Sequence, residues 1–119
     1  MTLLTQEIRE ALLRNGRLRL EYQTNGLDEP DFLPVVRLFT PDAGCTWLLT
    51  ELDPEDPDIA FGLCDLGVGC PELGSVSVSE LESVRGRLGL PVERDLGFAA
   101  KKTISAYADE AWKAGGIRT

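Results

Sequence analysis

The hydrophobic pattern at the start of the chain predicts one helix followed by an irregular stretch. Apolar residues at positions i, i+4 and i+5 line one side of a helix that begins at Thr5 and runs to about Arg14. Asn15-Gly16 is typical of a helix end, because glycine readily adopts the left-handed backbone conformation. The stretch that follows, to about residue 31, is rich in turn residues and predicts one short strand at 18–22.

Short apolar runs then predict four strands, at about 33–40, 45–52, 59–65 and 73–78. The connections between them are short and rich in Pro and Gly, so we expect an antiparallel meander. Side chains of the third run alternate between a bulky face, expected in the core, and a smooth face that a helix could approach closely. The bulky face comprises Ile59, Phe61 and Leu63, and the smooth face comprises Ala60, Gly62 and Cys64.

Two further helices are predicted after these strands. Ser79-Glu80-Leu81-Glu82 has the form of a capping box and begins a short helix that ends near Gly86. The segment 92–98 is expected to be extended. The last helix spans about 104–113, and its apolar stripe should dock on the sheet. That stripe consists of Ile104, Tyr107, Ala108, Ala111 and Trp112.

Together these elements indicate an α+β fold. It consists of an antiparallel four-stranded meander at about 33–78, an N-terminal helix, a short helix after the sheet and a C-terminal amphipathic helix. A chain of 119 residues has the usual length of one domain, here 1–119. No apolar run approaches the roughly 20 residues of a membrane span. Residues 1–7 lack the basic and apolar parts of a secretion signal, so we expect a cytoplasmic protein without membrane association.

The composition excludes several kinds of catalysis. The chain has no histidine, so neither a Ser-His-Asp nor a Cys-His nucleophile can be assembled. Its three cysteines are Cys45, Cys64 and Cys70, an odd number without the spacing of a zinc or redox motif. We expect structural free thiols, buried or half-buried, with no metal and no cofactor.

The net charge of −8 is unevenly distributed along the chain. Residues 20–84 contain 14 acidic residues and one base, Arg37, a local balance of −13; the flanks hold 6 acids and 11 bases, a balance of +5. An acidic middle repels nucleic-acid phosphates, which argues against direct binding of DNA or RNA. The same region would attract a basic protein surface, or serve only to keep a small protein solvated.

Candidate partner-binding residues follow from this distribution. Four of them lie in the turn 53–58, whose two prolines and missing Gly and Glu positions are unlike a calcium-binding EF-hand loop. The glycine-rich segment 67–74 has no Lys and no following helix, so it is a turn and not a phosphate loop. The partner-binding set is Asp53, Glu55, Asp56, Asp58, Glu72 and Glu80.

A second set of residues supports a rival hypothesis, a small carboxylate-based enzyme that a borrowed metal ion could assist. In an extended segment, Glu93 and Asp95 share one face and Arg94 takes the other; ion pairing within the protein is the simpler interpretation. On the second strand, Trp47 and Glu51 share a face, most simply as a core indole beside a rim carboxylate. The catalytic candidates under this hypothesis are Glu51, Glu72, Glu93, Arg94 and Asp95.

Taken in order, short motifs along most of the chain resemble a known family. They are Leu3-Leu4-Thr5, Phe39-Thr40-Pro41, Thr46-Trp47, Thr50-Glu51, Asp53-Pro54, Phe61-Gly62-Leu63, Pro71-Glu72-Leu73-Gly74, Ser77-Val78-Ser79-Glu80-Leu81-Glu82, Arg85-Gly86, Leu88-Gly89-Leu90-Pro91 and Glu93-Arg94-Asp95-Leu96. The set resembles the DUF2958 family of small bacterial proteins of unknown function, which are often found on plasmids and other mobile elements. The resemblance covers residues 3 to 98, gives no guide to the final helix and carries no established activity.

The resemblance implies a mobile-element setting, where accessory and anti-defence proteins are common. We therefore favour a non-enzymatic accessory protein that binds a protein partner with a basic surface. It could act as a nucleic-acid-mimicking decoy for a defence factor. The carboxylate-based enzyme is the alternative. A concave pocket joining three or more of its candidate residues would favour the enzyme.

Overall fold

The computed structural model describes residues 3–119; Met1 and Thr2, which begin the segment searched for a secretion signal, lie outside the described residues. The helices are α1 (Gln6–Thr24), α2 (Val78–Ser83) and α3 (Ile104–Ala114). The strands are β1 (Val36–Phe39), β2 (Thr46–Asp53), β3 (Asp56–Asp65), β4 (Glu72–Ser77) and β5 (Glu93–Arg94). The predicted α+β class is confirmed, and each of the four predicted strands overlaps an observed one.

The sheet has five strands instead of the four predicted. All pairs are antiparallel, and the strands lie in the order β4-β3-β2-β1-β5. The additional strand, β5, comes from the segment 92–98 that was expected to be extended, although only Glu93 and Arg94 pair with β1. Two paired residues have no periodicity of their own, so no sequence pattern marks them as a strand.

The prediction that α1 ends at Asn15-Gly16 was wrong, as was the predicted strand at 18–22, because α1 continues to Thr24. The reason is the way the helix docks on β2. A Cβ atom at Gly16 would lie well within the van der Waals contact distance of the Leu52 carbonyl oxygen. One residue earlier, the Asn15 amide donates to the Thr50 carbonyl at 2.9 Å. The glycine is therefore required for close approach between helix and strand, and not for a left-handed helix end.

Apolar side chains cover both faces of the sheet. Leu12 of α1 packs with Trp47, Leu49 and Ala60 in the larger cluster, which α2 also joins. Leu48 and Leu63 point to the opposite face, where α3 covers them. The smooth face of β3 does take a helix, as predicted. On the bulky face Leu63 is buried, whereas Ile59 and Phe61 are only half-buried.

Two details of the later helices differ from prediction. The N-cap of α2 is Ser77, whose hydroxyl accepts from the Glu80 amide at 3.2 Å, so α2 begins before Ser79 and ends before Gly86. The stripe of α3 docks through four of its five predicted residues, but Trp112 is 54% exposed. It lies at the edge of the sheet, where its indole Nε1 donates to the Pro71 carbonyl at 2.7 Å.

Within residues 3–119, none of the helices combines the length and the hydropathy that crossing a membrane would require.

Candidate functional site

The β2–β3 hairpin and the start of α2 bring five of the six predicted partner-binding residues to one corner of the molecule. We call Asp53, Glu55, Asp56, Asp58 and Glu80 the acidic corner. Asp53 pairs with Asp56 across the tight turn, and the Asp53 carboxylate accepts from the Glu55 amide at 2.9 Å. The side chains of Glu55, Asp56 and Glu80 are exposed. The sheet and the hairpin turn therefore hold these carboxylates on a fixed scaffold.

Asp58 connects the hairpin to α2. Its carboxylate accepts from the Ser77 hydroxyl at 2.6 Å, from the Ser79 hydroxyl at 2.8 Å and from the Ser79 amide at 3.0 Å. Hydrogen bonds from Ser77 and then Ser79 lower the pKa of Asp58, so the group stays ionised at neutral pH. Asp58 thus contributes charge to the acidic corner, but its main contacts are structural.

Few cations lie close to this corner. The segment 38–84 contains no Lys or Arg and ten carboxylates. The ion pairs formed within residues 3–119 involve Glu29, Glu51, Asp95 and Glu110, and none involves the acidic corner or Glu72. One base does approach it, because Arg9 of α1 donates to the Pro57 carbonyl at 3.4 Å. No ion pair formed within residues 3–119 therefore neutralises the acidic corner, although Arg9 also acts electrostatically on Asp58.

Glu72, the sixth predicted partner-binding residue, is not part of the corner. It begins β4 and lies opposite Cys64, whereas the corner adjoins the other end of that strand at Ser77. Five residues of extended strand separate the two ends by about 17 Å.

Glu51, the first of the rival catalytic candidates, is buried, and its carboxylate is engaged in contacts within the protein. It forms an ion pair with Arg19 of α1 and accepts from the Thr50 hydroxyl at 3.2 Å. Burial raises the pKa of Glu51 and outweighs the opposing effects of Arg19 and Thr50. Arg19 also approaches Glu29, at 3.5 Å. This group fixes the second half of α1 to β2 and opens to no cleft shared with the other candidates.

The Glu93-Arg94-Asp95 triplet is also engaged in structural contacts. Arg94 donates to the Leu3 carbonyl at 2.6 Å. The Asp95 carboxylate pairs with Arg37 at 3.2 Å and accepts from the Gly97 amide at 3.0 Å. Within residues 3–119, Asp95 is the one member of the triplet that forms an ion pair, and its cation is Arg37 instead of the neighbouring Arg94.

The five rival candidates are not brought together. β5, which carries Glu93 and Arg94, lies at one edge of the sheet, and β4, which begins with Glu72, lies at the other. Glu51 lies on the central strand between them. No group of three metal-ligating side chains occurs among the residues that the structure describes.

Comparison with known proteins identifies the family. A family model described as a protein of unknown function, DUF2958, matches residues 3–118. The chain belongs to the DUF2958 family. The match includes α3, which the resemblance in sequence motifs left out. No curated protein and no solved structure matches the chain significantly.

One cleft of this DUF2958 protein involves residues that sequence reasoning missed. It has a volume of about 430 Å³ and is lined by Leu3, Glu82, Arg85, Pro91, Val92 and Glu93. Of these, only Glu93 was a candidate, and Glu82 was assigned just a local capping role. In the structure Glu82 accepts from the Leu3 amide at 3.0 Å, and Arg85 donates to the carbonyls of Glu82 and Val84. No sequence signal marks the contact between Glu82 and Leu3, because these residues are 79 positions apart.

The cysteines of the DUF2958 protein are all free thiols. Cys45 and Cys64 are half-buried as expected, but Cys70 is exposed, because it lies in the loop before β4 instead of in a strand. Burial raises the pKa of the Cys64 thiol, which keeps it protonated and unreactive at neutral pH.

Proposed function

We propose that this protein is a non-enzymatic accessory protein that binds a protein partner through the acidic corner. The observation that carries the proposal is the set of exposed carboxylates at the corner, which have no ion-pair partner within residues 3–119. Charges of one sign on a rigid scaffold attract a surface of the opposite sign and speed association with it. The partner we propose therefore has a basic surface.

The resemblance to proteins of mobile elements suggests what such a partner does. A basic groove that normally holds DNA or RNA would also accept fixed carboxylates. We propose that the protein works in the cytoplasm, in a mobile-element setting, as a decoy that occupies the groove of a nucleic-acid-binding defence factor. Its own acidic surface argues against direct binding of nucleic acid.

The test compares two charge-reversed variants. The corner variant carries Glu55→Lys, Asp56→Lys and Glu80→Lys, and omits Asp58 because that residue holds α2. The control variant carries Glu21→Lys, Asp28→Lys and Asp109→Lys, which are equally exposed but lie outside the segment 38–84. Both change the net charge by the same amount, so any difference between them reports the position of the charges.

Proteins are captured from a bacterial lysate at low salt with the wild type and both variants in parallel. A partner that fits the proposal binds the wild type and the control variant, is lost by the corner variant, and is released as salt rises because screening weakens the attraction. DNA or RNA should compete with the wild type for that partner. Partners retained equally by both variants at high salt would refute the proposal and favour a site away from the acidic corner, such as the cleft beside Glu93.

A further inference from the structure

β4 is an edge strand without the usual protection against pairing. It forms one edge of the sheet and offers six residues, whereas β5, at the other edge, offers only two. Natural proteins block long edges with Pro, with Lys or with bulges. The sequence of β4, Glu-Leu-Gly-Ser-Val-Ser, has neither Pro nor Lys, and its register with β3 is continuous.

The hydrogen-bond pattern shows which main-chain groups of β4 are free to pair. The Phe61 carbonyl accepts from the Thr50 hydroxyl, so the main chain of Phe61 faces β2. The direction of the main-chain N–H and C=O groups alternates from one residue to the next along a strand. Those of Gly62 therefore point toward β4, and those of its partner Gly74 point toward β3. The amides and carbonyls of Leu73 and Ser75 must then point outward, away from the sheet.

Apolar surface adjoins this edge. Leu73 is 38% exposed and lies opposite Leu63, on the face of the sheet that α3 covers. Trp112 of α3 is tied to the Pro71 carbonyl, two residues before Leu73. An added strand would therefore find both main-chain partners and an indole against which an apolar side-chain stem can pack.

Charge determines which strand fits. Glu72 lies at one end of β4, Asp58 and Glu80 adjoin the other, and no base occurs within 38–84. A second copy of this chain would set these carboxylates against the same carboxylates, which is unfavourable. An extended segment with Lys or Arg complements both ends. We propose that β4 binds such a basic segment of the partner as an additional strand, an inference that rests on the proposed function.

The probe for this inference is a short capped peptide in which lysine alternates with threonine; a peptide with glutamate in place of lysine is the negative control. Ser75→Pro removes an outward amide and keeps the bonds to β3, since proline is tolerated on edge strands at such positions. Ser75→Ala keeps the amide and is the matched control. Losing the one hydrogen bond that this amide donates predicts a Kd raised about fivefold by Ser75→Pro and unchanged by Ser75→Ala.

Amide hydrogen exchange gives a second measurement on the wild-type protein. The lysine peptide should slow exchange at Leu73 and Ser75, while Gly74 and Val76 are already protected by β3. If the lysine peptide binds Ser75→Pro with the same Kd as the wild type, or protects neither the Leu73 nor the Ser75 amide, binding by strand addition is refuted. The acidic-corner proposal is then decided by its own test. Absence of peptide binding also overturns this inference. Protection that rises with protein concentration alone would assign the edge to a second copy instead.

Discussion

Helices α1 and α3 cover opposite faces of the same sheet, but different contacts hold them there. α1 approaches the backbone of β2 so closely that Gly16 has no room for a side chain. α3 packs through Ile104, Tyr107, Ala108 and Ala111 and is held at its ends. The Ile104 amide donates to the Phe32 carbonyl, the Ser105 amide to Asp31, and the Ile117 amide to Asp65. Because one helix depends on shape and the other on anchored ends, substitutions on the two faces should have different effects.

The largest effect is expected on the α1 face, from Gly16→Ala. Alanine favours a helix by about 1 kcal/mol over glycine. The added Cβ, however, meets the Leu52 main chain, which cannot rotate away, and we expect a net loss of about 3 kcal/mol in the free energy of unfolding. Urea denaturation measures the loss. Gly74→Ala is the control, because nothing lies near a Cβ atom there. Equal stability of the two variants would refute the close approach of α1.

The same position shows what the sequence could and could not reveal. Arg17-Leu18-Arg19-Leu20 alternates like a strand, and Asn15-Gly16 resembles a helix end. Local pattern therefore favoured a stop. The helix continues because docking on β2, through Gly16 and the Asn15 side chain, outweighs local preference, and these contacts join distant parts of the chain. The four main strands were predictable because alternation and turn residues are local.

The candidate site likewise has features that the local sequence predicts and features that depend on the tertiary fold. The acidic corner was largely predictable, because four of its five residues lie within one segment of six residues, 53–58. The separation of Glu72 from that corner, and of β4 from β5, depends on strand order, which no single segment encodes. The exposure of Trp112 was missed for a related reason. The apolar stripe of a helix shows which side chains point toward the sheet. It does not show whether the sheet is wide enough to cover the last of them.

On the α3 face the corresponding test is Ala108→Gly. Ala108 is fully buried against Leu48 and Leu63. The substitution removes a buried methyl worth about 0.8 kcal/mol and costs about 1 kcal/mol in helix propensity. We therefore expect a loss near 2 kcal/mol in urea denaturation, smaller than that of Gly16→Ala. A larger loss than at Gly16 would reverse the proposed order of the two faces.

The two faces should also respond oppositely to pH. Beside α1, burial raises the pKa of Glu51, so its ionisation destabilises the fold as pH rises above about 4.5. Beside α3, burial would raise the pKa of Asp31, but hydrogen bonds from Ser105 outweigh burial and lower it. The contribution of ionised Asp31 to stability is therefore present at neutral pH and lost in acid.

Stability measured from pH 3 to 7 separates these effects. Relative to the wild type, Glu51→Gln should gain stability as pH rises, whereas Asp31→Asn should lose it. Both variants remove one carboxylate, so each controls for the change in net charge of the other. Parallel pH profiles for the two variants would contradict the assignment.

The smallest effect is expected at the exposed end of α3, from Trp112→Ala. A fully buried indole would cost about 3–5 kcal/mol. With the ring 54% exposed and one hydrogen bond to Pro71, we expect a loss of about 1 kcal/mol. Trp112→Phe keeps an aromatic ring but loses the Nε1 donor, so the difference between the two variants isolates the hydrogen bond. A loss of about 3 kcal/mol or more, which is the loss expected for a fully buried ring, would mean that the indole is buried in solution. It would then be unavailable to a strand added at β4.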